Sequence, residues 1–179
     1  VRQAEIPIDA GQQKKMKQYL AVYFITGGFP QVLNTYMETK SIEAVEKKKK
    51  EVWKKILDRI WMEPDEKLRK KIARLYQNIG VYEEEQKEGF PYAKLGFLAS
   101  KKKYEDALNW LLERNLIISV QTETENMATA WEQLYLPDVG LLSLDRSIGF
   151  ADLVIQENFL EREGGLGNLF IVENLKYTS

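Results

Sequence analysis

Apolar positions recur at three- and four-residue intervals through the first two-thirds of the chain, the spacing of helices that bury one face. Met16, Leu20, Tyr23 and Phe24 form one such face. Gly27-Gly28 then interrupts the pattern, and Pro30 suits the first turn of a new helix near Pro30–Thr39, because its missing N–H would have no partner there. Val32, Leu33, Tyr36 and Met37 share a side of this second helix, and Ser41 is placed to cap a third by accepting a backbone N–H. The third helix carries Val52, Trp53, Ile56, Leu57 and Ile60 on one stripe. Pro64 marks a boundary. Asp65 and Glu66 favour the positive end of a fourth helix, whose Leu68, Ile72, Leu75 and Ile79 lie on one face up to Gly80. An acidic loop over 83–91, a short helix over Tyr92–Ala99 and a cap at Ser100 come next. Then follows the strongest helical repeat of the chain: Tyr104, Ala107, Leu108, Leu111 and Leu112, with Asn115 at its C-terminal end.

Beyond Asn115 the period changes. Leu116–Val120 is short and β-branched, and Trp131–Leu136 is a second strand-like run that Pro137 ends, with a polar loop over Gln121–Thr129 between them. Helix, short helix, long helix and β-ribbon together predict a winged-helix-like unit. The expected class is mainly α: a helical segment over 1–63, a winged-helix-like unit over 64–145 and a tail over 146–179. Val139–Leu144 is short and apolar. In the tail, Asp152–Leu160 carries a helical pattern, Glu163–Gly167 reads as a flexible connection, and Asn168–Lys176 reads as the start of another helix.

Composition narrows the chemistry. The chain has no cysteine and no histidine, which removes disulfides, thiolate catalysis, thiolate metal sites and any Ser-His-Asp triad. No apolar run reaches the length that spans a bilayer, and Val1–Gln13 is too polar for a signal peptide, so a cytoplasmic protein without membrane partners is expected. The net charge of -1 conceals a segregation. Residues 40–75 hold 13 Lys/Arg against 7 Asp/Glu, whereas residues 121–179 hold 3 against 10. Such a division fits either two different partners or a basic helix packed near an acidic segment of the same fold.

Three features invite a chemical reading. Lys47, Lys48, Lys49, Lys50, Lys54 and Lys55, with Arg59, form the best basic surface, able to meet phosphates electrostatically. Lys102 opens the long helix of the winged-helix-like unit, but the free face of that helix also carries Glu105, Asp106 and Glu113, which repel phosphate. Asp138, Asp145, Asp152 and Glu157 raise the question of a metal or an acid/base pair, yet their spacing fits no calcium loop. Gly27-Gly28-Phe29-Pro30 lacks the lysine and spacing of a phosphate loop and reads as a turn between helices. The tryptophans at 53, 61, 110 and 131 are expected as core or interface anchors.

Several segments taken together resemble one family, the bacterial and archaeal predicted AAA+-type ATPases that carry a C-terminal domain of unknown function. The resemblance rests on Tyr19-Leu20 with Gly27-Gly28-Phe29-Pro30-Gln31-Val32-Leu33, and on Tyr104-Glu105-Asp106-Ala107-Leu108-Asn109-Trp110-Leu111 followed by Asn115-Leu116-Ile117. It continues through Gln133-Leu134-Tyr135-Leu136-Pro137-Asp138-Val139-Gly140-Leu141-Leu142 and Leu169-Phe170-Ile171-Val172-Glu173-Asn174. Asn115 stands where glycine is usual, and asparagine also tolerates the left-handed conformation. The chain departs from the pattern at Trp61-Met62-Glu63-Pro64, where an aromatic-x-x-Asp element is usual.

The resemblance implies an ATPase module upstream and a nuclease-like α/β domain downstream, with this chain as the piece between them. Val1 in place of a starting Met fits that expectation, as it fits processing. The chain would then be a non-catalytic connector whose partners are those two parts of the parent chain. It would hold no cofactor, while ATP and Mg would belong to the parent. The alternative is a nucleic-acid-binding module that uses the basic 47–59 helix.

Overall fold

A computed structural model describes residues 9–82, 86, 89–121, 131–142 and 144. The patterns in 152–160, 163–167 and 168–176 lie outside them. The described residues are mainly helical: α1 (Ala10–Thr26), α2 (Pro30–Thr39), α3 (Ile42–Trp61), α4 (Glu66–Ile79), a 3-10 helix (Tyr92–Leu95), α5 (Lys101–Glu113), β1 (Ile118–Gln121), β2 (Glu132–Tyr135) and the single turn α6 (Val139–Leu142).

Local chemistry sets most boundaries. Asp9 and Gln12 form a reciprocal capping box on α1. Pro30 stands in the first turn of α2, and the Ser41 hydroxyl accepts the Ala44 N–H at 3.2 Å to open α3. The Asp65 carboxylate accepts from the N–H groups of Lys67 and Leu68 at the start of α4. Helix α5 closes with Asn115 at a φ of 53°: the Leu116 N–H reaches the carbonyl of Leu111, and the Asn115 N–H that of Leu112. This is a Schellman closure with asparagine in the left-handed position.

Four expectations need correction. Met16 does not face the core: it is 57% exposed, because α1 reaches the packed interior only from Leu20 onward, and burial becomes complete at Phe24–Thr26. Ser100 occupies the capping position of α5 but its hydroxyl makes no capping bond; its carbonyl alone accepts, from Lys103 and Tyr104. The helix expected over Tyr92–Ala99 is one 3-10 turn, since Gly96 at a φ of 149° ends it. Of the core or interface role expected for Trp61 the core half does not hold: the ring is half exposed, with the Arg69 guanidinium lying over it.

The core is continuous across the described elements. Val45, Val52 and Ile60 of α3 join Ile72, Leu75, Tyr76 and Ile79 of α4, with Trp53 stacked on Tyr76 at 4.9 Å between ring centroids. Helix α4 packs on α5, and Tyr82, Phe90, Tyr92 and Tyr104 form an aromatic chain beside them.

Strands β1 and β2 pair antiparallel, Ile118 opposite Tyr135 and Gln121 opposite Glu132. A third segment joins the other edge of β2, where the Phe90 N–H donates to the Glu132 carbonyl at 2.8 Å. Beside it, the fully buried Gln86 uses its side-chain amide as a strand uses its backbone: Oε1 accepts the Leu134 N–H at 2.6 Å and Nε2 donates to the Leu134 carbonyl at 2.7 Å. Gln86 and Phe90, within the stretch read as a plain loop, therefore complete the edge of the ribbon.

Candidate functional site

The tightest polar arrangement lies between the α1–α2 turn and the start of α6. Gly27 ends α1 with its N–H on the Tyr23 carbonyl and a φ of 68°, a conformation that glycine adopts without steric penalty. A Cβ on Gly27 would lie within 2.8 Å of the Asp138 Cγ and closer still to Oδ1. The Gly28 N–H donates to Asp138 Oδ2 at 2.7 Å, and the Leu141 N–H donates to Oδ1 at 3.1 Å. Gly140 completes the fit, since a Cβ there would meet the Gly27 nitrogen and the Thr26 carbonyl oxygen at 2.7 Å. Gly27 and Gly140 thus allow the two turns to approach closely, and one carboxylate ties them together.

Asp138 is only 6% exposed. Beneath it lies Lys49, 1% exposed and ion-paired with Glu46 on the preceding turn of α3. Burial lowers the Lys49 pKa from the usual lysine range, while Glu46 and the Asp138 charge both act to keep the ammonium. Tyr76 also faces this region. Its buried hydroxyl has no hydrogen-bond partner among the described residues, and burial, with the Asp138 charge second, raises its pKa.

These positions revise the basic surface expected from sequence. Lys49 does not belong to it, because α3 turns this residue inward between Val45 and Val52. Lys48 is half-buried and paired with Glu51 at 2.6 Å. Lys47, Lys50, Lys54 and Lys55 are exposed, but on a helix that also exposes Glu43 and Asp58. The two charge-segregated parts of the chain meet in the interior, where Lys49 senses Asp138. Elsewhere the acidic part meets a lysine from outside the basic part: Lys101 pairs with Glu132 at 2.9 Å, an acid that also accepts from Ser119 and Tyr92. Packing of basic and acidic segments on each other thus accounts for part of the segregation.

Lys102 is exposed on α5 and lines an open depression of about 500 Å³ with Lys71, Lys103, Glu105, Asp106 and Asn109. Within it Lys71 is neutralised by Asp106, with Nζ 2.7 Å from one carboxylate oxygen. Acid and base alternate along this surface, as expected from the α5 sequence.

Among the carboxylates considered for metal or acid/base chemistry, Asp138 is committed to backbone N–H groups, and Asp145, Asp152 and Glu157 lie outside the described residues. Among the described residues no cluster of three or more ligating side chains could hold a metal ion, and no helix is long and apolar enough to cross a membrane. Sequence reading passed over Lys49 as one lysine in a run and Asp138 as a spaced acid. The signal for Lys49 was its place between Val45 and Val52 on the helical period. Comparison with known proteins identifies no relative: no family model, no curated protein and no solved structure matches the chain.

Proposed function

We propose that this chain is a non-catalytic connector that relays displacement between its ends. The observation that carries the reading is the bond from Gly28 to Asp138, which joins positions 110 residues apart through a rigid, glycine-lined contact. A shift of α1 is thereby coupled to α6, and α3 packs against both. The Asp138 carboxylate is taken up by backbone N–H groups of both turns, as in a structural joint. On the resemblance to the AAA+-type ATPases, the parts being joined are an upstream ATPase module and a downstream domain of a cytoplasmic parent protein, and ATP and Mg act in that parent. The test is expression of the parent reading frame beside the 179-residue chain. The parent hydrolyses ATP, its Asp138→Asn variant loses coupling between nucleotide state and the downstream domain, and the chain alone shows no hydrolysis. Nucleotide-dependent hydrolysis by the purified chain would refute the reading.

The finer architecture belongs to the same proposal. Residues 64–145 form a winged-helix-like unit, a reading supported by the order α4, 3-10 helix, α5 and β-ribbon, and by the segment at Phe90 that adds to β2. The second functional reading, a nucleic-acid-binding module, is favoured by the exposure of Lys47, Lys50, Lys54, Lys55 and Lys102. It predicts a shift of labelled duplex that weakens steeply with salt, and no shift at low salt removes it.

A further inference from the structure

The turn between the 3-10 helix and α5 holds two large apolar side chains in solvent. Phe97 is 96% exposed and Leu98 is 66% exposed. Leu98 also has a φ of 56°, in the left-handed region that a side chain with a Cβ occupies at a steric cost. The turn is anchored on both sides. Leu95 is buried before it, Ala99 packs on the core after it, and the Ala99 N–H closes onto the Gly96 carbonyl at 3.1 Å. Gly96 lies against Arg74, whose Nη1 would be 2.9 Å from a Cβ at that position. The backbone therefore holds Phe97 and Leu98 outward instead of letting them fold onto the core.

The sequence flanking the turn is basic, with the acids of α5 beginning only at Glu105 and Lys101 already paired with Glu132. Between Glu88 and Glu105 the sequence carries no acid and four lysines, Lys94, Lys101, Lys102 and Lys103, in a chain whose net charge is -1. Lys102 and Lys103 are exposed in the first turn of α5, directly after the loop. An apolar tip with cations behind it selects its partner. A second copy meeting the same turn head-on would bring lysine against lysine. Duplex nucleic acid offers phosphates to the lysines but no apolar phase to Phe97 and Leu98, and the α5 face beyond them exposes Glu105, Asp106 and Glu113. An anionic bilayer offers both components in the matching order, phosphate headgroups at the surface and hydrocarbon beneath.

We infer that the Gly96–Lys103 turn is an attachment loop for anionic membrane surfaces, with Phe97 and Leu98 entering the acyl boundary and Lys102 and Lys103 at headgroup level. Contact of this kind is peripheral and needs no spanning helix. It rests on the geometry and charge of this turn and is independent of the connector reading.

The test is co-sedimentation of the 179-residue protein with vesicles of phosphatidylcholine, alone or mixed with phosphatidylserine. The protein sediments with the mixed vesicles at low salt and is released as salt rises. Phe97→Ser combined with Leu98→Asn lowers vesicle affinity about tenfold or more, the loss expected for two apolar side chains, with an unchanged unfolding midpoint. Because the chain has no native cysteine, Phe97→Cys carrying an environment-sensitive dye gives a second readout, and its emission moves to the blue on mixed vesicles only. Three results would overturn the inference: no sedimentation with anionic vesicles at low salt, equal sedimentation of the Phe97→Ser/Leu98→Asn variant, or displacement from vesicles by a DNA duplex that binds more tightly.

Discussion

The Gly28 N–H and the Asp138 carboxylate meet at 2.7 Å across 110 residues of sequence, and the same carboxylate caps the turn that follows it. One buried anion therefore satisfies two backbone donors from distant parts of the chain. Asp138→Ala leaves both donors without that acceptor and is expected to destabilise by about 2–4 kcal/mol, given that hydrogen bonds to charged groups contribute about 1.5–3 each. Asp138→Asn keeps one acceptor oxygen and loses less. Urea unfolding of the three proteins measures the ranking, and equal midpoints would remove the joint from the account.

The glycines of that joint respond to size, not to polarity. Gly27→Ala combines a positive φ with an overlap on Asp138, and Gly140→Ala drives a methyl group into the Thr26–Gly27 backbone. Each is expected to destabilise by about 2 kcal/mol or more, because strain and overpacking add and backbone cannot move aside as a flexible side chain can. Gly28→Ala is the control, since its Cβ would meet Asp138 Oδ2 at an ordinary 3.6 Å. A thermal-melt series separates the two classes.

Gln86 supplies both hydrogen bonds at the Leu134 edge of β2. Gln86→Leu keeps the burial but strands the Leu134 N–H and carbonyl, at a cost of about 2–3 kcal/mol. Hydrogen exchange at the Leu134 amide is expected to speed up more than that at the α3 amides. Uniform acceleration across the chain would mean that the residue supports overall stability without a particular role at that edge.

Lys49 gives the protein a pH signature. Its folded-state pKa lies below the ordinary lysine value, so between those two values the unfolded chain binds more proton than the folded one. Stability on this account rises as pH climbs through that window toward the unfolded lysine pKa. Lys49→Met abolishes this contribution to the slope. Unfolding free energies of both proteins at several alkaline pH values report it, and identical slopes would show that Lys49 does not contribute.

Helix placement was legible because the signals that set it are local. Proline at a first turn, serine and aspartate at caps, asparagine at a left-handed closure and a three-to-four apolar period act within a few residues of one another, so α2, α3, α4 and α5 fall close to where the sequence puts them. The period also carries limited information about burial. It marks the apolar face of α1 but cannot say how far the body of the protein extends beneath it, which is why Met16 stands in solvent. It groups Lys47 to Lys50 as one run although helix geometry gives each a different direction.

What the sequence determined by itself is the mainly helical character, the turns between helices and the absence of thiol and imidazole chemistry. Only the tertiary structure decided that Gly27, Gly28, Lys49, Asp138 and Gly140 form one joint, that Gln86 finishes a strand edge, and that Phe97 and Leu98 project outward. Helix boundaries depend on free energies exchanged between neighbours in the chain. A carboxylate bonded to a turn 110 residues away, a backbone-to-backbone contact or an exposed apolar tip depends on what distant segments bring to the same place, and no local pattern encodes that meeting.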